Sequence, residues 1–153
     1  EWIDFPREGN GWSYKYARRQ WNLVDNKELD YHYLGDFDKQ MLKVIKSQKD
    51  FIKTPVQEIW HNDGDQVLAF MRGDLIFVFN FSPTTSYTDY GFLVPTGAYN
   101  VVLNTDASEF GGNNLADDEV THFTNYDPLY VADRKEWLKL YIPARSAVVL
   151  RKN

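Results

Sequence analysis

Histidines, carboxylates and exposed rings are the side chains from which this chain could build a reactive or binding site. The three histidines, His32, His61 and His122, are far apart in sequence and none lies in an HExxH pattern. With no cysteine in the chain, a zinc centre has no ligand set, and no metal ligands are assigned. All three histidines therefore read as ordinary hydrogen-bonding residues. Paired carboxylates would suit glycosidic chemistry, which needs two acids at a set separation. The available clusters are Asp4 with Glu8, and Asp117-Asp118-Glu119. Neither falls at a predicted strand end, and consecutive acids in a polar loop are ordinarily solvated. No catalytic residue is assigned. The stretch DASEFGG has the look of a calcium loop, but Phe110 and Gly111 stand where further oxygen ligands would be needed. Arg72-Gly73-Asp74 and the sequon Asn80-Phe81-Ser82 are read as a tight turn and as the end of a buried strand. The remaining signal is aromatic: Trp2, Trp12, Tyr14, Tyr16 and Trp21 crowd the first segment without a shared local face. Such rings pack on a surface the segment itself does not supply, or on a ligand.

These candidates need elements to carry them. The chain has 153 residues, 43% of them apolar and 16% aromatic, enough for one good core. A net charge of −5 with scattered basic residues excludes a nucleic-acid footprint. No run approaches the roughly 18–20 apolar residues of a membrane helix. The longest, Leu75–Phe79, is strand-sized. No secretory leader is visible, and the lack of cysteine fits a reducing compartment, so a cytoplasmic location is expected.

The composition changes near residue 54. Asp25 and Glu28 have capping-box spacing, which predicts a short helix from Asn26. Leu34, Phe37, Met41, Leu42 and Ile45 recur at helical spacing, opposite Asp36, Asp38, Lys39, Lys43 and Lys46, predicting a one-faced helix over 34–47. Beyond Thr54-Pro55 the chain reads as strands. His61–Asp65 forms a hairpin turn between apolar segments. Gln66–Arg72, Leu75–Phe81, Tyr99–Leu103, Glu136–Ile142 and Ser146–Arg151 are strands, with Leu75, Phe77, Phe79 and Phe81 on one face. Short strands with such turns predict an antiparallel Greek-key sandwich. Residues 104–135 have little periodicity, and are either a functional loop or a lid on a sheet edge.

On these residues the chain resembles the eukaryote-type 1,4-α-glucan (glycogen) branching enzymes of the α-amylase superfamily. The similar motifs run in order: EWIDFPREGNGWSYKYARRQWNLVD, YLGDFDKQM, VLAFMRGDLIFVFNFSPTTSYTDY, GAYNVVLNTDASEFGG, HFT and PARSAVVLR. The resemblance implies the C-terminal part of such an enzyme, mainly β in class. Residues 1–54 would be the loop after the eighth strand of a (β/α)8 barrel and its closing helix, whose apolar stripe meets the barrel wall. Residues 55–153 would be the C-terminal sandwich. It implies a glycosyltransferase that cleaves α-1,4 linkages and makes α-1,6 branches, with its catalytic acids upstream, no cofactor, and this segment inactive alone. The implied partners are α-glucan and the chain's own barrel. A monomer is expected, with self-association through the barrel-facing surface as the alternative. Trp2, Asp4 and Arg7 are the expected glucan contacts: Trp2 stacks, while Asp4 and Arg7 hydrogen-bond or order neighbouring loops. The rival reading is a non-catalytic glucan-binding module. After EFGG the family continues with a His-Gly-Arg-like run where this chain has Asn113–Glu119, so no glucan contact is assigned to that loop.

Overall fold

The computed structural model describes residues 4–126 and 135–153, so Trp2 lies outside the described residues. After a 3-10 turn at Glu8–Asn10 come two helices, α1 (Asn22–Asp25) and α2 (Tyr31–Lys46), then a 3-10 turn at Phe51–Lys53. The strands are β1 (Gln57–Asn62), β2 (Val67–Arg72), β3 (Leu75–Asn80), β4 (Tyr87–Leu93), β5 (Ala98–Asn104), β6 (Thr121–Phe123), β7 (Asn125–Tyr126), β8 (Glu136–Ile142) and β9 (Ser146–Lys152). They form a six-stranded sheet in the order β1-β2-β3-β9-β5-β6 and a three-stranded sheet β4-β8-β7, antiparallel throughout. This is the sandwich read from the strand pattern, with β9 inserted between β3 and β5.

Strand period selects two cores. Alternate residues point to opposite sheet faces. Ile76 and Val78 of β3 turn inward with Val67, Ala69, Val148 and Leu150, and meet Phe92, Leu138, Leu140 and Ile142 of the small sheet. Leu75, Leu103 and Val149 point outward and are covered by Phe37, Met41 and Val44 of α2, with Phe51 and Phe110 at the margin. Phe77, Phe79 and Phe81 share the outer face as expected; Phe77 packs at the margin of this second core, and the row runs outward from it to exposed Phe81. Phe70 stacks on Phe77 and Phe79 at centroid distances of 4.9 and 5.8 Å, and Phe81 stacks on Phe79 at 5.6 Å.

The helical region differs from expectation in two ways. The short helix ends at Asp25 instead of beginning beside it. Asn26 accepts the Glu28 amide on its side-chain oxygen at 3.0 Å, and this local turn takes the place of a helix start. The second difference concerns the apolar stripe of α2, which splits. Phe37, Met41 and Val44 lie on the sheet, whereas Leu34 is 71% exposed and Leu42 43% exposed. The stripe expected to face a barrel wall is thus spent in part on the sandwich. The remainder forms a second, uncovered apolar face.

Residues 104–126 are more ordered than their sequence suggests. The DASEFGG stretch closes on itself: the Asp106 carboxylate accepts the amides of Asn113 at 3.0 Å and Leu115 at 2.7 Å. Phe110 then meets Phe37 edge-on at 5.4 Å, pinning α2 to the sheet. Further along, β6 pairs with β5 and covers that edge, as a lid would. The rest of the irregular stretch, 127–134, lies outside the described residues.

Candidate functional site at the amino-terminal rim

Two of the three expected glucan contacts come together in a knot before α1. The Arg7 guanidinium donates from Nε to Asp4 Oδ1 at 3.0 Å and from Nη2 to Asp4 Oδ2 at 3.2 Å. Asn10 donates its amide to Asp4 Oδ2 at 3.1 Å and to the Phe5 carbonyl at 3.0 Å, and accepts the Arg7 amide at 2.9 Å. Asp4 also donates its own amide to the Tyr16 carbonyl at 3.1 Å, tying the two limbs of the loop. The hydrogen bond from Arg7, then that from Asn10, holds the Asp4 carboxyl below its usual value, and the same bond raises Arg7. An acid so held stays charged and is no proton donor near neutrality. Within the pair, the Arg7 side chain is 63% exposed and that of Asp4 20%. Asp4 is the brace, and Arg7 is the member that solvent can reach.

The knot supports a turn that throws rings outward. Gly11 and Trp12 both adopt left-handed backbone, at φ 62° and 57°. Glycine does so freely, but a tryptophan there is strained by about 1–2 kcal/mol. Phe5, Trp12, Tyr14 and Trp21 are all exposed, and the Arg19 guanidinium lies 4.9 Å from the Trp21 ring centre. A groove of about 300 Å3 runs between α1 and α2, lined by Leu23, Val24, Tyr31 and Leu34. α1 approaches closely at Gly35, where an added Cβ would come within 3.3 Å of Val24. The groove reaches the uncovered Leu34, and Leu42 and the rings of the preceding loop add further exposed apolar surface to the N-terminal region. Patches of this kind mark interaction surfaces.

The other chemical candidates resolve into structural roles. His61 pairs with Glu58 at 2.8 Å, and that bond raises its pKa; His32 Nδ1 meets the Leu29 carbonyl at 2.7 Å. His122 is half-buried, and burial lowers its pKa. Asp118 takes the Asn104 amide at 2.7 Å, and burial raises its carboxyl. Asp117 accepts the Glu119 amide at 2.9 Å. Among the described residues no three His, Cys, Asp or Glu side chains are arranged to hold a metal ion. Arg72 of the Arg-Gly-Asp turn donates to the Thr54 carbonyl at 2.9 Å and the Ile52 carbonyl at 2.7 Å while lying over Phe51. Asn80 of the sequon is buried, and its amide nitrogen donates to the carbonyls of Thr85, Ile142 and Pro143. Arg72 and Asn80 are thus both committed to backbone carbonyls of the fold. Among the described residues no helix is long and apolar enough to cross a membrane.

The fold and this rim define a class: a two-sheet all-β domain carrying a helical extension with an uncovered apolar face. Residues 59–153 match the family described as alpha amylase, C-terminal all-beta domain, and the chain belongs to that family. Its sequence is 45% identical over 152 residues to a 1,4-alpha-glucan-branching enzyme of Candida glabrata, covering 98% of this chain and 21% of that protein. The Saccharomyces cerevisiae enzyme of the same name is 44% identical over 151 residues, again with 98% and 21% covered. A chloroplastic/amyloplastic 1,4-alpha-glucan-branching enzyme of rice is 46% identical over 128 residues, covering 82% of this chain and 15% of that protein. The chain therefore spans about a fifth of the length of the curated relatives it matches. A cyclomaltodextrin glucanotransferase with a three-domain ABC distribution aligns in structure at 12% identity and a TM-score of 0.47, covering 97% of this chain and 27% of that one. That likeness is too remote to bear on function.

Proposed function

We propose that this chain is the C-terminal portion of a 1,4-α-glucan-branching enzyme, acting on glycogen-like α-glucan in the cytoplasm. Residues 1–54 would complete a catalytic barrel and residues 55–153 form the terminal sandwich. The parent enzyme would cut an α-1,4 linkage and transfer the released segment to a 6-hydroxyl. The observation that carries this reading is where the similarity lies. The match to the all-β family begins at residue 59, yet identity to branching enzymes extends over 98% of the chain and so includes the rim and both helices. The uncovered Leu34 and Leu42 of α2 support the same reading, since a closing barrel helix would bury them.

A retaining transfer needs two carboxyl groups about 5–5.5 Å apart. Asp4 is held by Arg7 and Asn10, Asp118 by Asn104 and Asp117 by the Glu119 amide, so neither acidic cluster, among the described residues, presents two free carboxyl groups. The segment alone should give no branching activity by iodine staining, and robust activity would overturn the assignment. At the rim, Arg7 and Trp2 would touch glucan, with Asp4 holding Arg7 in place. A second reading, a non-catalytic glucan-binding module, is favoured by the exposed Phe5, Trp12, Tyr14 and Trp21. It calls for retention on immobilised glycogen that is lost when these rings are truncated. The barrel reading calls instead for self-association through the same rings.

A further inference from the structure

Asn10-Gly11 is the sole Asn-Gly pair in the sequence, and it stands inside the rim knot. An asparagine side chain can close a five-membered ring on the backbone nitrogen that follows it. Glycine in that following position has no Cβ to shield the nitrogen. The surroundings here are open as well. A Cβ added at Gly11 would meet no atom within 4 Å beyond its chain neighbours, and Trp12 after it is exposed. The Glu8–Asn10 turn contains no buried residue.

The knot is what restrains the pair. Asn10 Nδ2 donates to Asp4 Oδ2 at 3.1 Å and to the Phe5 carbonyl at 3.0 Å, and its oxygen accepts the Arg7 amide at 2.9 Å. The Gly11 amide donates to the Glu8 carbonyl at 3.0 Å. Both reacting groups are therefore held on other partners while the knot is closed. The bonds to Phe5 and from Arg7 are solvent-exposed, which puts this closure at the low-stability end of the molecule.

We propose that Asn10 is a self-modification site, at which opening of the Asp4–Arg7–Asn10 knot commits the side chain to deamidation through a succinimide. In the open loop, hydroxide removes the Gly11 amide proton and the nitrogen attacks Asn10 Cγ. The N–Cγ bond forms, the Cγ–Nδ2 bond breaks, and ammonia leaves with a proton from water. Water then opens the ring at one of its two carbonyl carbons. Opening at Cγ leaves aspartate; opening at the backbone carbon leaves isoaspartate, with the chain running through the side chain. Nothing is oxidised or reduced: one water is consumed, one ammonium is released and one carboxylate is gained. That carboxylate faces Asp4 Oδ2 and the Phe5 carbonyl, two acceptors to which it has no proton to give. The knot cannot reclose in its present form, and Arg7 is left to divide between two carboxylates. Isoaspartate also lengthens the backbone and resets the left-handed Gly11–Trp12 pair that presents the Trp12 ring. A transient opening is thus made permanent. This chemistry does not depend on the branching-enzyme reading.

The test is timed incubation of the 153-residue chain at neutral and mildly alkaline pH, followed by digestion and mass spectrometry that locates each amide converted to carboxylate. Conversion should appear first at residue 10, grow with time and rise with pH, and hydroxylamine should cleave the chain between Asn10 and Gly11. Gly11→Ala, which shields the nitrogen, should lose the conversion. Asp4→Ala, which removes one partner of Nδ2, should speed it about fivefold. Asn10→Asp carries the converted side chain from the start and should move the Arg7 Nε–H resonance in a nitrogen–proton correlation spectrum. Backbone resonances of the sandwich core report that each variant is folded. Conversion at another asparagine as fast as at residue 10, or an unchanged rate in Asp4→Ala, would overturn the gated site. An unmoved Arg7 resonance in Asn10→Asp would overturn its effect on the knot.

Discussion

Replacing Asn80 tests whether the sandwich is closed by a single buried amide. Its nitrogen donates to the carbonyls of Thr85 at 2.8 Å, Ile142 at 3.1 Å and Pro143 at 3.0 Å, and its oxygen accepts the Ser82 amide at 3.0 Å. Asn80 ends β3 of the large sheet, Ile142 ends β8 of the small sheet, and the other partners lie on the connecting segments beside them. In Asn80→Ala, Thr85 is exposed and regains water, and Pro143 keeps the Ser146 hydroxyl at 2.7 Å. The Ile142 carbonyl and the Ser82 amide are left buried without these partners, each costing about 1–2 kcal/mol, so the total is ~3 kcal/mol with the smaller losses added. That is a large share of the stability of a domain this size. Asn80→Asp should behave differently with pH. An aspartate facing three carbonyls has a folded pKa above its unfolded value of about 3.9, because only the protonated form can donate. Its penalty is fully present at neutral pH and shrinks as pH falls through the folded value, the reverse of an ordinary paired carboxylate. Urea denaturation followed by tryptophan fluorescence, at pH 7 and again near pH 4.5, measures both effects. A loss below about 1 kcal/mol for Asn80→Ala would refute the closure argument.

Two further outcomes follow from local geometry. A Cβ at Gly112 would lie 2.2 Å from the backbone carbon and oxygen of Asp106, so Gly112→Ala must open the 106–115 clasp and should cost about 2–3 kcal/mol by thermal melt. The Phe110 contact with Phe37 should loosen with it, read as faster amide exchange in α2. His61 has a raised pKa because of Glu58, so the pair stabilises the fold below about pH 6.5 and the contribution fades as pH rises through the folded value. Glu58→Gln should lower the His61 pKa in an NMR titration, and an unchanged value would show that the pair does not persist in solution.

Much of the architecture could be read from residue order. β8 was expected at Glu136–Ile142 and occupies those residues, and the Asn62–Asp65 turn and the Gly73 turn join strands as read. β4 was missed because its pattern is not alternating. A register break between Tyr87 and Tyr90, with Asp89 in left-handed backbone at φ 52°, hides its period. β6 was missed because a three-residue edge strand has no pattern of its own and exists only through its register with β5. At the rim, Asp4 and Arg7 were expected as separate glucan contacts or loop-ordering residues, and nothing in their spacing paired them. The structure made Asp4 the brace by engaging both its oxygens, with Asn10 as an unforeseen third member.

By itself the sequence determined which side chains are apolar, where the chain turns, and that the strands are short and antiparallel, because these depend on neighbours within a few residues. Only the tertiary structure decided which of two apolar faces each element buries. β3 could have turned either its phenylalanines or Ile76 and Val78 into the sandwich, and α2 could have offered Leu34 or Phe37 to the sheet. Those choices follow from what lies opposite, the small sheet in one case and the Phe110 clasp in the other, and no local pattern contains that information.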